Sequence, residues 1–300
     1  MLSTEDAFAK FRSRLELNGS EQKDASERQR EIREHMDEEF DVDDDFLTGS
    51  YARHTKTKPL KDVDIFCVLG DGERHRRKEA ASDLLGAAES ALAKKYGHSC
   101  VKRQRRSVTV DFGVRPDADD KTDYRVVSFD VVPAFALGDD YEIPDTGANG
   151  GVGGWTKSNP RVHADKAVEA QQAYSDEWKG LVRMMKYWNN HNGKPIKPSF
   201  LIEVMALELL HPPYGGDRAR EMQFFFAALA GRIHEMWEDP AGLGPPVSDA
   251  MDATSRAAAA QALRAAERAA ARAIALSRQG RQGDALDAWR ALFGPLFPLS

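Results

Sequence analysis

The sequence predicts an α/β fold of the α+β kind, with a strand-rich part first and a helical bundle second. Three observations predict it. Apolar runs rich in β-branched residues recur between Phe46 and about Leu137, bounded by turn residues. From about His163 to Phe293 the apolar residues recur at helical spacing instead. The chain has 300 residues, 41% hydrophobic and 30% charged, enough for one large core or two ordinary ones. Strands grouped ahead of helices, rather than alternating with them, favour separate layers or domains.

The N-terminal stretch from Thr4 to Glu39 is polar, with Phe8, Phe11 and Leu15 at helical spacing. It predicts a long solvated helix, interrupted near Asn18-Gly19-Ser20. "DEEFDVDDD" follows, with seven acids in nine positions, and reads as a solvated helix end and loop. "VDIFCVLG" is a continuous apolar run ending in glycine, as a buried strand requires. "ERHRRKEAASDLLGAAESALAKKYG" predicts a helix with a solvated basic start, closed by Gly97. "CVKRQRRSVTVDFGV" and "YRVVSFDVVPAF" alternate β-branched residues and read as strands. Within the first, Lys102 to Arg106 reads as a solvated strand. "GANGGVGG", Gly147 to Gly154, lacks the Gly-Lys-Ser/Thr ending of a phosphate loop, and no apolar strand runs into it. It reads as a linker or lid.

In the helical half, Trp178, Leu181, Met185 and Trp188 form an apolar face in "EWKGLVRMMKYWNNH". Lys179, Arg183 and Lys186 share another face, a basic stripe. Ser199 precedes an apolar helix and reads as its N-cap, without a capping-box partner. His163 reads as structural or exposed. The Ala-rich stretch from Ala250 to Leu276 is a strong helix former. Leu286, Trp289, Leu292 and Phe293 read as core closure, with Gly280 and Gly283 marking the preceding turn. There is no internal repeat.

The net charge of −6 argues against a generic nucleic-acid coat. Cys67 and Cys100 are too few for a disulfide framework, so a reducing, cytoplasmic setting is expected. No signal peptide is visible at the N-terminus, and no apolar run approaches the roughly 20 residues of a membrane span.

The chemistry lies in the carboxylates. Side chains alternate faces along a strand, so Asp62 and Asp64 point the same way while Val63 points the other. Two carboxylates that close repel unless one is protonated or a cation intervenes. Mg²⁺ takes carboxylate oxygens while keeping substrate phosphates as further ligands. Asp130 sits inside an apolar strand and also needs a partner. Three carboxylates can hold two metals about 3.5–4 Å apart, the arrangement for in-line phosphoryl displacement. Asp111 competes for the third role, and the flanking "VVPAF" favours Asp130. Gly49 and Ser50, twelve residues before Asp62 and Asp64, allow amides and a hydroxyl to approach a phosphate closely. Tyr51 either stacks on a base or packs.

"GSYARHT" followed by "DVDI", and then "SFDVVPAF", resembles the active-site signature of the polymerase-β-type nucleotidyltransferase superfamily. "SNPRVHADKA", "LVRMMKYWNNH", "KPSFLIEVMALELL" and "AWRALFGPLFP" extend the likeness to most of the chain. Together they resemble the bacterial cGAS/DncV-like nucleotidyltransferases, relatives of animal cyclic GMP–AMP synthase and 2′-5′-oligoadenylate synthetase. The resemblance implies a polymerase-β-like core with a small mixed sheet and a helical C-terminal lobe, the active site lying in the cleft between them. Residues 1–160, including the N-terminal helix, would form the catalytic core, and residues 161–300 the closing lobe.

The resemblance further implies that Gly49, Ser50, Lys186 and Ser199 contact the donor triphosphate, with Tyr51 beside the nucleotide. Asp62 and Asp64 would bind two Mg²⁺ ions, with Mn²⁺ as a substitute. Asp130 would complete one metal site and help deprotonate the attacking ribose hydroxyl. NTPs would become a cyclic di- or trinucleotide second messenger in anti-phage signalling, with pyrophosphate released. Regulatory or effector proteins encoded nearby are the implied partners. A nucleic-acid activator is disfavoured: two cysteines cannot supply the zinc insertion of the animal cyclase. The competing readings are a transferase of the same superfamily acting on RNA ends or on a protein, and a catalytically silent nucleotide-binding scaffold. All three aspartates are present, which disfavours the scaffold.

Overall fold

Alternation in "VDIFCVL" sends Val63, Ile65, Cys67 and Leu69 to one side of a strand, and Asp64, Phe66 and Val68 to the other. That strand, β2 (Val63–Leu69), is central in a computed structural model that describes residues 2–17, 19–57, 62–113, 128–147 and 153–300. The chain forms two units, Leu17–Ala164 and Met1–Glu16 with Asp165–Ser300.

In the first unit, β1 (Val42–Thr48) pairs antiparallel with β2, and β2 pairs parallel with β5 (Ser128–Leu137). The first half of β5 also pairs with β4 (Val108–Asp111), which pairs with β3 (Val101–Arg103), both antiparallel. The second half of β5 pairs with β6 (Asp140–Asp145), and β6 with β7 (Gly154–Ser158). The sheet is therefore mixed, in the order β1-β2-β5-β4-β3.

One face of this sheet packs on helices α2 (Gly19–Glu39) and α4 (Ala81–Tyr96). Ile32, Met36, Leu84, Leu85, Ala88 and Leu92 meet the inward strand residues there. The other face carries a smaller cluster of Phe66, Val68, Ala134 and Ile143, with Phe46 and Tyr141 against it. The carboxylates Asp64 and Asp130 belong to this second face, beyond the end of its apolar patch.

Several expectations change here. The acid-rich run is more than a helix end and loop, because from Val42 onward it is β1. Its charges are neutralised by partners distant in sequence: Asp44 pairs with Arg161 at 2.6 Å, Asp45 with Arg33, and Asp41 accepts from Gly72 N at 2.8 Å. The basic helix start is a separate 3₁₀ segment, Asp71–Lys78, and Arg77 reaches Glu142 at 2.6 Å. The "CVKRQRRSVTVDFGV" stretch is two strands, with Gln104 to Ser107 as the turn between them. Arg105 and Arg106 do not alternate into solvent, since both converge on the buried Asp145. β6 and β7 are short, polar and interrupted by Pro144, so they carry no strong strand pattern. Within Gly147 to Gly154, residues 148–152 lie outside the described residues.

In the second unit, α1 (Thr4–Leu15) is capped by Ser3, whose hydroxyl accepts from Asp6 N at 3.1 Å. Residues 1–16, grouped with the strands in the sequence reading, pack instead in the helical unit. The cause is aromatic: Phe8 meets Trp289 edge-on with centroids 4.9 Å apart, and Phe11 lies against Phe293 and Phe297. Helices α5 (Pro160–Ala173), which crosses the boundary between units, α6 (Trp178–His191), α7 (Phe200–Leu209) and α8 (Arg218–Arg232) follow. The Ala-rich run is α9 (Ala253–Arg278), capped by Asp252, and it buries Ala259, Leu263, Ala266, Ala270 and Ala273. Gly280, at φ +74, turns the chain into α10 (Gln282–Phe293), while Gly283 lies inside α10 rather than in the turn. Leu286, Trp289, Leu292 and Phe293 close the core.

Candidate active site

Strand register assembles the carboxylates. Asp64 and Asp130 are register partners on the parallel pair β2–β5. Thr48 is opposite Asp64 on β1, and Thr109 is opposite Asp130 on β4. A transverse row Thr48–Asp64–Asp130–Thr109 therefore crosses four strands on one face. Asp62 precedes β2 with a left-handed φ of +55, and is mostly exposed. The hydroxyl of Ser128 donates to its Oδ1 at 2.8 Å and accepts from its backbone N–H at 3.2 Å. Lys56 Nζ lies 3.8 Å from Asp62 Oδ2.

The electrostatics follow from this crowding. Burial pushes the Asp64 carboxyl up to about 7, and the charge of Asp130 adds to the rise while Lys56 and Arg53 oppose it. Asp130 is raised chiefly by burial, with the hydrogen bond from Thr109 pulling the other way. Neighbouring half-buried carboxylates that resist ionisation make a place for a cation. Their hard oxygen donors suit Mg²⁺ or Mn²⁺. Among the described residues no three such side chains already converge as a metal cage. Asp64 and Asp130 are the adjacent pair, and Asp62 is tied to Ser128 and Lys56 beside them.

Gly49 opens a single helical turn, α3 (Gly49–Ala52), directly after β1. Its φ is +66, and a Cβ built on it would overlap the Asp64 carboxylate. Glycine at this position therefore satisfies both the turn and the approach of Asp64. Thr55 N donates to the Ser50 carbonyl at 3.0 Å, closing the turn. Tyr51 packs partly buried against the sheet core, and burial raises its phenol. Asp111 is opposite Ser128, exposed, and accepts from Gly113 N at 2.8 Å, so it caps a turn at the strand end.

Lys186 and Ser199 belong to the helical unit. Lys186, one of the three residues of the basic stripe, has its ammonium buried and paired with Glu203 of α7 at 2.5 Å. Arg183 is also buried and reaches Glu16 at 2.7 Å. Ser199 occupies the N-cap position of α7 but makes no capping hydrogen bond through its side chain. Glu203 lies one helical turn beyond Ser199, so the two share a helix face. His163 is half-buried near the start of α5.

Sequence reasoning missed Lys56, Arg53, Ser128 and Thr109. The only signal for the last two is their parity: Ser128 is two residues before Asp130, and Thr109 alternates with Val108 and Val110. Parity fixes a face only once the pairing is known. Cys67 is core, its thiol pushed up to about 12 by burial. No described helix is long and apolar enough to cross a membrane.

Residues 2–170 match the family model of the Second Messenger Oligonucleotide or Dinucleotide Synthetase domain. The chain is 26% identical over 284 residues to a probable cyclic nucleotide synthase of Bacillus cereus (strain VD146), covering 83% of this chain and 81% of that one. It is 27% identical over 275 residues to a cyclic AMP-AMP-AMP synthase of Acinetobacter sp. (strain ATCC 27244 / 9458), covering 85% and 73%. Its fold matches the solved structure of CdnC from E. coli MS115-1 with ATP, with a TM-score of 0.74, 19% identity and 99% of each chain covered.

Proposed function

The chain belongs to the Second Messenger Oligonucleotide or Dinucleotide Synthetase family, and from that premise we propose that it joins NTPs into a cyclic di- or trinucleotide with release of pyrophosphate. The observation that carries this reading is the in-register pairing of Asp64 with Asp130 beside Asp62. Asp62, Asp64 and Asp130 would hold Mg²⁺, two ions in this reading, with Mn²⁺ as a substitute. Bound there, the metal supplies positive charge that offsets the triphosphate oxygens and the carboxylates alike.

The chain's own residues do the rest. Gly49 and Ser50 receive the donor triphosphate with backbone amides and a hydroxyl. Tyr51 borders the nucleotide. Asp130 accepts the proton of the attacking ribose hydroxyl. The ribose oxygen bonds to the α-phosphorus of the second nucleotide, the bond to the bridging oxygen of the β-phosphate breaks, and pyrophosphate leaves. For a dinucleotide the linear product turns in the site, and a second such attack closes the ring and releases a second pyrophosphate; a trinucleotide takes one further attack and releases a third. The relative named as a cyclic AMP-AMP-AMP synthase supports a cyclic product and a trinucleotide among the candidates. The product would act as a second messenger in anti-phage signalling in the cytoplasm, under regulatory or effector proteins.

The test is incubation of the purified protein with all four NTPs and Mg²⁺, phosphatase treatment, and mass identification of what survives, with Asp62→Ala/Asp64→Ala in parallel. A resistant cyclic product absent from the double variant is expected. Labelling of RNA or protein instead would move the assignment to another transferase of the superfamily.

A further inference from the structure

We propose that Thr109 and Ser128 are positioning residues, whose hydroxyls set which oxygens of Asp130 and Asp62 are presented for cation binding. The role given to the carboxylates rests on the reading above; the contacts do not.

Thr109 is the register partner of Asp130, and its Oγ1 donates to Asp130 Oδ1. No hydrogen bond to Oδ2 is made among the described residues, so that oxygen is the one left for a ligand. Ser128 does the corresponding work one row along: it donates to Asp62 Oδ1 and accepts from the Asp62 amide. That two-point clasp holds an aspartate whose φ of +55 is uncommon for a residue with a side chain. Asp64, between the two, takes no side-chain hydrogen bond among the described residues. Each outer carboxylate is thus pinned by a hydrogen bond at one oxygen, with Lys56 Nζ 3.8 Å from the other oxygen of Asp62, and the central one is left to neighbouring charges.

The residue types fit this work. Val108 and Val110 flank Thr109 and point into the core, while Thr109 is on the opposite face, across from Asp130. A hydroxyl there costs desolvation unless it has an acceptor, and the acceptor is Asp130. Ser128 is buried, and both its hydrogen-bonding capacities go to Asp62. Partners that orient a metal-binding side chain typically change metal affinity by about 10–100-fold when removed.

The experiment uses the full chain with Thr109→Val, Thr109→Ser and Ser128→Ala. It reads Mn²⁺ affinity of the nucleotide-free protein by calorimetry, NTP turnover, and melting temperature. Thr109→Val is expected to weaken Mn²⁺ binding about tenfold and to lower kcat with the NTP KM little changed. Thr109→Ser restores both, and Ser128→Ala weakens Mn²⁺ binding as Thr109→Val does. Wild-type Mn²⁺ affinity in both Thr109→Val and Ser128→Ala overturns the proposal. So does an equal loss in Thr109→Ser, which keeps the hydroxyl, because the effect would then follow the shape of the side chain and not its hydrogen bond to Asp130. If Thr109→Val does not fold, Ser128→Ala decides by the same criterion. If wild type binds Mn²⁺ in the hydroxyl-dependent way but makes no cyclic product, the functional reading fails and the positioning role stands. If wild type makes cyclic product and the variants match it in affinity and turnover, the reverse holds.

Discussion

Gly49 lies so close to Asp64 that a Cβ built on the glycine would sit 2.6 Å from the aspartate's Cγ. With its φ of +66, the position excludes a side chain twice over, by backbone conformation and by occupied space. Gly49→Ala should therefore displace Asp64 as well as strain the turn. We expect a loss of product formation of at least about tenfold and a destabilisation of about 1–3 kcal/mol. Product yield and urea unfolding measure the two separately, and an alanine variant with full activity would show that the Asp64 position is not constrained from this side.

Divalent metal should stabilise the protein through Asp64 and Asp130. Metal-free, the raised Asp64 carboxyl means that the folded chain holds its proton more tightly than the unfolded one. Stability should then fall as pH rises from the ordinary carboxylate range through about 7. Mg²⁺ or Mn²⁺ at 100 times its dissociation constant adds about 2.7 kcal/mol. Asp64→Asn should melt higher than wild type without metal at pH 8, and should lose the response to added metal. Thermal melts with and without Mn²⁺ check both signs.

Lys186 and Glu203 form a pair with side chains only 5% and 3% exposed. Removing one member takes the nearest opposite charge away from the other in the core. Lys186→Met should cost about 3–5 kcal/mol, and Lys186→Met/Glu203→Leu should recover most of it. Chemical denaturation of the three proteins decides, and a single variant as stable as wild type would sink the argument. Activity of Lys186→Met is to be compared with the double variant, which separates triphosphate contact from folding.

Asp145 is buried, which by itself would raise its carboxyl, but hydrogen bonds from Arg105, Arg106 and the Gly147 amide hold it at about 2. A depressed folded value contributes stability above the unfolded value of 3.8, lost as pH falls toward 2. Because Arg105 is largely and Arg106 partly solvent-exposed, we expect Asp145→Asn to cost about 1–2 kcal/mol at pH 7. The gap between variant and wild type should narrow as pH falls from about 4 through about 2 in urea titrations. A gap independent of pH would assign the effect to packing.

Much was legible in the chain because periodicity is local. Alternation in "VDIFCVL" marked a strand with Asp64 opposite its core residues, and the same parity put Asp130 on one side of β5. Helical spacing marked the buried face of α6 and the aromatic closure by Trp289 and Phe293. Family membership, and with it the class of chemistry, was legible in the segments around those aspartates. What only the tertiary structure decided is which of these faces and charges meet. Strand register pairs Asp64 with Asp130 and brings Thr109 and Ser128 to them from β4 and β5, and a one-residue slip would turn every one of these side chains to the opposite face. Partner choice sends Lys186 to Glu203, Arg105 and Arg106 to Asp145, and Phe8 to Trp289 in the helical unit. Each of those choices depends on residues far away in the chain, and no local pattern records them.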